Sequence, residues 1–267
     1  MRADQWLVDH GRAASRSQAQ RLIAAGARWR ASDGWRVLVK SDDLPPGAQV
    51  ELLDAAEARY VSRGGLKLEG ALAAAGVAVA GRRCLDVGQS TGGFTDCLLQ
   101  HGAAQVVGVD VGHDQLHPSL RADARVHCIE RVNARFLDAS ELIAVSACPE
   151  SDGGRNDAGF DVIVGDLSFI SLRLVLPVLA PLLAAGGDAL LLVKPQFELQ
   201  PGQIGKGGIV RDAGLYAEVE QRLRTACREA GWTVRHWLDS PIAGGDGNRE
   251  FFIHAVRPGT APAQDPP

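Results

Sequence analysis

From Cys84 onward the chain alternates short apolar runs with segments of helical period, and this rhythm constrains its fold more than any other feature. The runs RCLDVG, QVVGVDVG, RVHCIE, FDVIVGDLS and DALLLVKPQ are rich in valine, isoleucine and leucine. FTDCLLQHG and LRLVLPVLAPLLAAG stand between them, and GLYAEVEQRLRTACREAG follows the last. Strands alternating with helices predict an open, mostly parallel α/β sheet. Two further runs, WTVRHWLDS and EFFIHAV, lie close together, as in a hairpin at one sheet edge. The stretch ACPESDGGRNDAG is expected to be a polar loop and residues 258–267 a disordered tail.

The first 58 residues are built differently. Ser15 and Gln18 have capping-box spacing and open a helix, SRSQAQRLIAA, that closes at Gly26, where glycine accepts the left-handed conformation. Leu22 and Ile23 would face inward, with Arg16, Arg21 and Arg28 around the outer surface. RWRAS-DG-WRVLV alternates about an Asp-Gly turn, a hairpin signal, and Pro45-Pro46-Gly47 leads into a short strand, QVELL. A small α+β module over residues 1–58, a linker over 59–63 and a larger domain over 64–257 are therefore expected.

Composition narrows the function classes. Hydrophobic residues at 46% and charged residues at 22% of 267 positions are globular values, enough for a core without disulfides. The start, MRADQWLVDHGR, is interrupted by Asp4 and Asp9 and is no signal peptide. The longest uncharged stretch, from Leu174 to Gly187, holds two prolines and falls short of the ~20 residues a bilayer requires, so no membrane partner is expected. Five scattered cysteines (Cys84, Cys97, Cys128, Cys148, Cys227) without a CxxC pair argue against disulfides and a metal site and fit a cytoplasmic protein. Net charge is −4, yet residues 1–40 hold eight Lys/Arg against three Asp. A basic module on an acidic body is an asymmetry that nucleic-acid binders show, although a solvated charged face gives the same pattern.

The first strand of the large domain runs into Gly88-Gln89-Ser90-Thr91-Gly92-Gly93-Phe94-Thr95. A glycine-rich turn between strand and helix lets backbone approach a ligand at the carboxyl edge of a sheet. Its spacing is not GxGxxG, which weakens a nicotinamide or flavin reading. Neither it nor the later GQIGKGG fits GxxxxGK[ST], which disfavours a nucleoside triphosphatase. The second strand ends at Asp110, where a carboxylate can accept both hydroxyls of an adenosine ribose. These features fit several nucleoside cofactors, and the turn tilts them to S-adenosylmethionine. The bland alternative is an ordinary tight turn with a solvent-facing aspartate.

Asp166 ends the run VIVGD and Lys194 the run LLLVK, so both are expected at the same sheet edge as the turn. Glu250 opens EFFIHAV, and Lys67 precedes the sheet. One lysine at a strand end is commonly a satisfied surface charge; Asp, Lys and a glycine turn on one edge suggest a site. A ribose 2′-hydroxyl is a poor nucleophile. A lysine could take its proton if burial or a neighbouring cation lowered its pKa from ~10.4, with carboxylates orienting the amines.

Arg2, Asp4, Leu7, Ser15-Arg16-Ser17, Ala19, Ile23 and Gly26 resemble an S4-like RNA-binding module of ribosomal proteins and translation factors. That resemblance implies RNA contacts, with Arg2, Arg12, Arg16, Arg21, Arg28 and Arg63 as candidates. VSRGGLKLEGAL, LDVGQSTGGFTDCLLQ, GDLSFISL, LLVKPQFE, GKGGIVRD and SPIAGGDGNREFF resemble, in order, the TlyA (hemolysin A) family of rRNA 2′-O-methyltransferases. The catalytic domain of that family is similar to FtsJ-type RNA methyltransferases, and the resemblance spans residues 1–256. It implies a Rossmann-like, S-adenosylmethionine-dependent methyltransferase sheet with a small N-terminal S4-like domain, and an rRNA or ribosomal-subunit partner. It also implies a tetrad of Lys67, Asp166, Lys194 and Glu250, with Lys194 as base. Cofactor contacts would come from Gly88, Gln89, Ser90, Thr91, Gly92, Gly93, Phe94, Thr95, Asp110, Asn133 and Asp166. Gln89 stands where many members carry alanine. A chain that begins directly at the RNA-binding module implies a cytidine of large-subunit rRNA rather than targets in both subunits.

Two rivals differ in class. A non-catalytic RNA-binding or ribosome-assembly factor would show a broken turn or tetrad, and neither is broken here. A membrane-active hemolysin would need a span or a strongly basic amphipathic helix. Base rather than ribose methylation would show an Asn/Asp-Pro-Pro-aromatic motif where this chain has Asp166-Leu167-Ser168-Phe169.

Overall fold

The computed structural model describes residues 1–13, 15–53, 59–146, 159–244 and 247–259; most of the expected polar loop and of the tail lies outside them. The chain divides into two compact units, Met1–Leu66 and Lys67–Pro267.

In the first unit, α1 (Ala3–Asp9) and α2 (Arg16–Gly26) share a core with β1 (Ala27–Ala31) and β3 (Val50–Leu52), and β2 (Gly34–Val37) completes the sheet in the order β2-β1-β3. Leu7, Leu22, Ile23, Leu38 and Leu44 form the centre of that core. The predicted cap opens α2: Ser15 Oγ accepts from Gln18 N at 3.3 Å, a contribution of about 1 kcal/mol. The Gln18 side chain donates to Tyr60 O at 3.1 Å, and Tyr60 is buried. Residues expected as linker are thus anchored on the first unit, and the division falls between Leu66 and Lys67, within α3 (Gly64–Ala75). The β1–β2 hairpin also differs from expectation. Ala31 pairs with Gly34, so its two-residue loop is Ser32-Asp33, one position early, and Gly34, at φ 129°, opens β2. The left-side φ that only glycine accepts cheaply is needed at the strand's first residue, not inside the loop.

The second unit is a seven-stranded sheet in the order β6-β5-β4-β7-β8-β10-β9. Its strands are β4 (Arg83–Val87), β5 (Gln105–Asp110), β6 (Val126–Glu130), β7 (Phe160–Gly165), β8 (Leu183–Val193), β9 (Thr233–Asp239) and β10 (Phe251–Val256). β4 to β8 are parallel, and β10 lies antiparallel between β8 and the edge strand β9. Helices α4 (Gly93–Gln100), α5 (Pro118–Arg121), α6 (Ala139–Ser146), α7 (Leu172–Leu179), α8 (Pro195–Glu198) and α9 (Gly214–Glu229) connect them. Leu172, Val175, Leu176 and Leu179 of α7 and Val219, Leu223 and Cys227 of α9 join Val87, Ile163 and Leu191 of the sheet in one core. Each such buried side chain contributes ~1.5–3 kcal/mol of hydrophobic free energy.

The helix expected over LRLVLPVLAPLLAAG is shorter than its apolar run. α7 stops at Leu179, a 3-10 turn spans Ala180–Leu182, and β8 begins at Leu183. Pro181 has no N–H to continue the ladder, and Gly186 at φ 74° lets the chain enter the sheet with a register shift against β7. From β4 the chain steps outward through β5 to β6, then returns to β7 on the other side of β4. The crevice outside the carboxyl ends of β4 and β7 is where open α/β sheets bind ligands.

Candidate active site

A cavity of about 660 Å³ occupies this crevice. Of the sequence-predicted cofactor residues, Gly88, Ser90, Asp110, Asn133 and Asp166 line it, and Val109, Val132 and Ala134 give it an apolar wall. Gly88 is required twice over. Its φ is 86°, and a Cβ there would lie 2.7 Å from the carbonyl oxygen of Asp166. Ser90, at φ 47°, holds the strained tip of the turn, and its N–H donates to Asp110 Oδ2 at 2.7 Å. Gly112 N donates to Asp110 Oδ1 at 2.7 Å. The carboxylate is therefore fixed across the cavity mouth, and each oxygen retains a second lone pair. Asn133 Oδ1 caps the short helix Ala134–Phe136 through Arg135 N. Thr91, Gly92 and Gly93 complete the turn without lining the cavity, and Phe94 is buried against Phe252, with ring centroids 6.1 Å apart.

Gln89 and Thr95 turn inward, beneath the turn. Gln89 Nε2 donates to Thr95 Oγ1 at 2.9 Å, and Thr95 Oγ1 donates to Asp86 Oδ2 at 2.7 Å. All three are buried. Burial pushes the Asp86 carboxyl up to about 7 against the hydrogen bond from Thr95, with the charges of Asp166 and Asp110 adding to the rise. The Gln89 amide lies where a side chain at residue 108 would be: a Cβ on Gly108 would meet its Cδ and Nε2 at 2.0 Å. Gln89 therefore supports the turn from below.

The four residues of the expected tetrad form two ion pairs. Lys67 Nζ, from α3, lies 2.5 Å from Glu250 Oε2, with both side chains buried. Lys194 Nζ lies 2.6 Å from Asp166 Oδ1 and donates to Ser168 Oγ at 2.8 Å. Strand register brings the pairs to one edge. Phe251 is opposite Val193, so the next antiparallel position sets Glu250 across from Lys194. Ser168 is a partner that sequence reasoning missed, although it stands within the GDLSFISL motif.

That motif's loop is pinned from behind. Glu198 accepts from Ser171 Oγ at 2.6 Å and from Leu172 N at 2.7 Å, linking α8, just past Lys194, to the start of α7. Burial raises the Glu198 carboxyl above its ordinary value. Asn248 makes a similar tie, accepting from Val210 N at 2.9 Å and donating to Gly208 O at 3.0 Å, so the GKGGIV and GNRE segments hold each other. Phe169, between Ser168 and this anchor, has φ 64° and is 90% exposed on the cavity rim; Phe136 is exposed on the same rim. In the sequence Phe169 reads only as part of the GDLSFISL motif; its strained, solvent-facing position next to Ser168, the partner of Lys194, is visible only in the structure.

In the first unit, Arg2 and Arg16 both reach the buried carboxylate of Asp4, at 3.3 and 3.0 Å, and Gln20 donates to it at 2.9 Å. Gln20, then Arg16 and Arg2, hold the Asp4 carboxyl well below the usual range. Arg2, Arg12 and Arg16 are exposed, and Arg21, Arg28 and Arg63 are half-buried. Arg28 also pairs with Glu51 at 2.7 Å.

The family model described as FtsJ-like methyltransferase matches residues 60–257. The chain belongs to the FtsJ-like methyltransferase family. A 16S/23S rRNA (cytidine-2′-O)-methyltransferase TlyA of Mycobacterium tuberculosis is 44% identical to it, over 94% of this chain and 88% of the relative. Hemolysin A of Brachyspira hyodysenteriae is 37% identical, over 96% of this chain and all of the relative. A solved Streptococcus thermophilus protein, provisionally named a hemolysin, is 37% identical with a TM-score of 0.71, covering 97% of this chain and 88% of that one. This methyltransferase is of the S-adenosylmethionine-dependent class. The cavity suits that cofactor: Asp110 and Asp166 place two carboxylates where a cationic sulfonium nucleoside would lie, and the valine wall offers an apolar surface for a base. No helix among the described residues is long and apolar enough to cross a membrane.

Proposed function

We propose that this methyltransferase modifies the 2′-hydroxyl of a cytidine in rRNA, with large-subunit rRNA as the favoured target, while the N-terminal unit acts as an S4-like module that grips RNA. The observation that carries this reading is the Asp166–Lys194–Ser168 cluster at the rim of the cofactor cavity, backed by the Lys67–Glu250 pair. S-adenosylmethionine, when bound, supplies a methyl group already activated by the positive sulfonium. Asp110 would hold the ribose of that cofactor, with Gly88, Ser90 and Asn133 around it. Lys194 Nζ, in its neutral amine form, would accept the proton of the substrate hydroxyl and become the ammonium, and Asp166 would fix the amine and balance the charge it gains. Ser168 holds the same amine from a second side, and Lys67 with Glu250 sets the strand-end geometry around it. Phe169 stands where it can close over the reacting nucleotide and exclude water.

The name of the Mycobacterium relative includes both ribosomal RNAs, so both subunits are to be assayed. Such a substrate would place the work of this chain with ribosomal subunits in the cytoplasm. Transfer of labelled methyl from S-adenosylmethionine to purified small and large subunits and free rRNAs, mapped by 2′-O-methylation-sensitive primer extension, tests the reading. One labelled cytidine ribose in the large subunit is the expected result. Label on a base, or none on any rRNA despite cofactor binding, would overturn it.

A further inference from the structure

The outward face of the N-terminal sheet carries a second basic surface, separate from helix α2. Register places Arg30 opposite Trp35 and Arg28 opposite Val37, so all four share one face of β1 and β2. The other face belongs to the core, through Ala27, Trp29 and Leu38. On the outward face Trp35 is 41% exposed and Val37 78%. Arg28 Cζ lies 4.9 Å from the Trp35 ring centroid and Arg30 Cζ 6.0 Å from it. β2 is the edge strand of this sheet, so no strand among the described residues continues the face on that side.

We infer that Trp35 with Arg28 and Arg30 forms a stacking platform for unpaired RNA nucleotides. The inference rests on the proposed RNA substrate and adds a contact surface to it. A guanidinium held over an indole has already lost much of its rotamer freedom. Its outer plane stacks on a base, and its N–H edge reaches the phosphate. The indole adds a broad apolar surface that tolerates any base. Charge selects the partner: among the described residues the two guanidiniums face one carboxylate, Glu51, whose exposed pairing with Arg28 is weak enough to exchange for a phosphate. A paired helix keeps its bases inside its own stack, so the fitting occupant is a looped-out or single-stranded segment.

The test uses the full chain, with a labelled single-stranded RNA oligonucleotide and a duplex of equal length as probes in fluorescence anisotropy. Trp35→Ala should weaken single-strand binding roughly 5- to 150-fold, the equivalent of one stacked base at ~1–3 kcal/mol, and should leave duplex binding within about twofold. Trp35→Phe should recover most of the loss, while melting temperature and cofactor affinity stay at wild-type values in both variants. Unchanged single-strand binding in Trp35→Ala, or equal loss on both probes, would overturn the platform. So would a wild-type chain that methylates subunits yet ignores the single strand. Normal RNA binding with an altered sedimentation coefficient would assign the face to a second copy of this chain. If Arg16→Ala/Arg21→Ala still weakens RNA binding while Trp35→Ala does not, the platform alone fails. If the wild type binds no RNA and transfers no methyl, the RNA reading fails with it.

Discussion

Two lysine–carboxylate pairs, Lys194–Asp166 and Lys67–Glu250, carry different roles in the proposed function, and single substitutions test them. Lys194→Ala removes the proposed proton acceptor, and single-turnover transfer should fall by about 10²–10⁴ while calorimetric cofactor affinity stays near wild type. Wild-type turnover in that variant would remove lysine from the chemistry. Gln89 and Gly108 are matched by shape, so Gly108→Ala should cost ~1–3 kcal/mol in denaturant unfolding and raise the KM for S-adenosylmethionine. Adding Gln89→Ala relieves that clash and should restore part of both; a double variant worse than Gly108→Ala would refute the match. Asp86, pushed up to about 7, ties folding to pH. Between about 4 and 7 the folded chain holds a proton that the unfolded chain releases, so stability falls as pH rises through this window and levels off above it. Asp86→Asn keeps an acceptor for Thr95 and cannot ionise. Its melting temperature should gain on wild type from pH 5 to pH 8, and parallel curves would refute the assignment.

At the scale of elements, strand ends carry the candidate catalytic residues and the start of α7 is tied to them through Glu198. β4 and β7 present the glycine turn and Asp166, while β8 and β10 present Lys194 and Glu250. At the start of α7 the Leu172 N–H donates to Glu198, which follows Lys194 by one helical turn, while Ser171 Oγ accepts from Arg173 N. Glu198→Ala leaves a buried N–H and the Ser171 hydroxyl without that acceptor and should cost ~1–3 kcal/mol. Because the freed loop carries Ser168 and borders Asp166, kcat should fall more than cofactor affinity does. Equal losses in both would assign Glu198 to general stability. α7 itself shows how an apolar pattern can overstate a helix. LRLVLPVLAPLLAAG is apolar throughout, but proline and glycine divide it into helix, 3-10 turn and strand.

At the scale of the molecule, the proposed function assigns RNA gripping to the basic N-terminal unit and holding of a cationic cofactor to the acidic remainder. RNA affinity should fall linearly in log–log form with salt, and Arg16→Ala/Arg21→Ala should lower the slope by about 1.4–1.8, as for two lost phosphate contacts. An unchanged slope would leave these arginines to structure, a role the Arg16–Asp4 pair already suggests for one of them. The sequence by itself determined the α/β alternation, the α2 cap, the glycine turn and the strand-end positions of Asp110, Asp166 and Lys194. These follow from local period and from residues with sharp backbone preferences, which act over a few positions. It could not tell which polar side chains of the turn face the cavity. Gln89, Thr95 and Ser90 are alike in being small or neutral polar groups, and Gln89 turns inward into the space beside Gly108, nineteen residues away on the neighbouring strand, where it meets Thr95. The Lys67–Glu250 pair, 183 residues apart, and the Arg28–Trp35–Arg30 face likewise exist through strand order and register alone. Local preference sets what each segment can become; long-range packing decides which side chains meet, because the contacts that discriminate among them form only when distant strands pair.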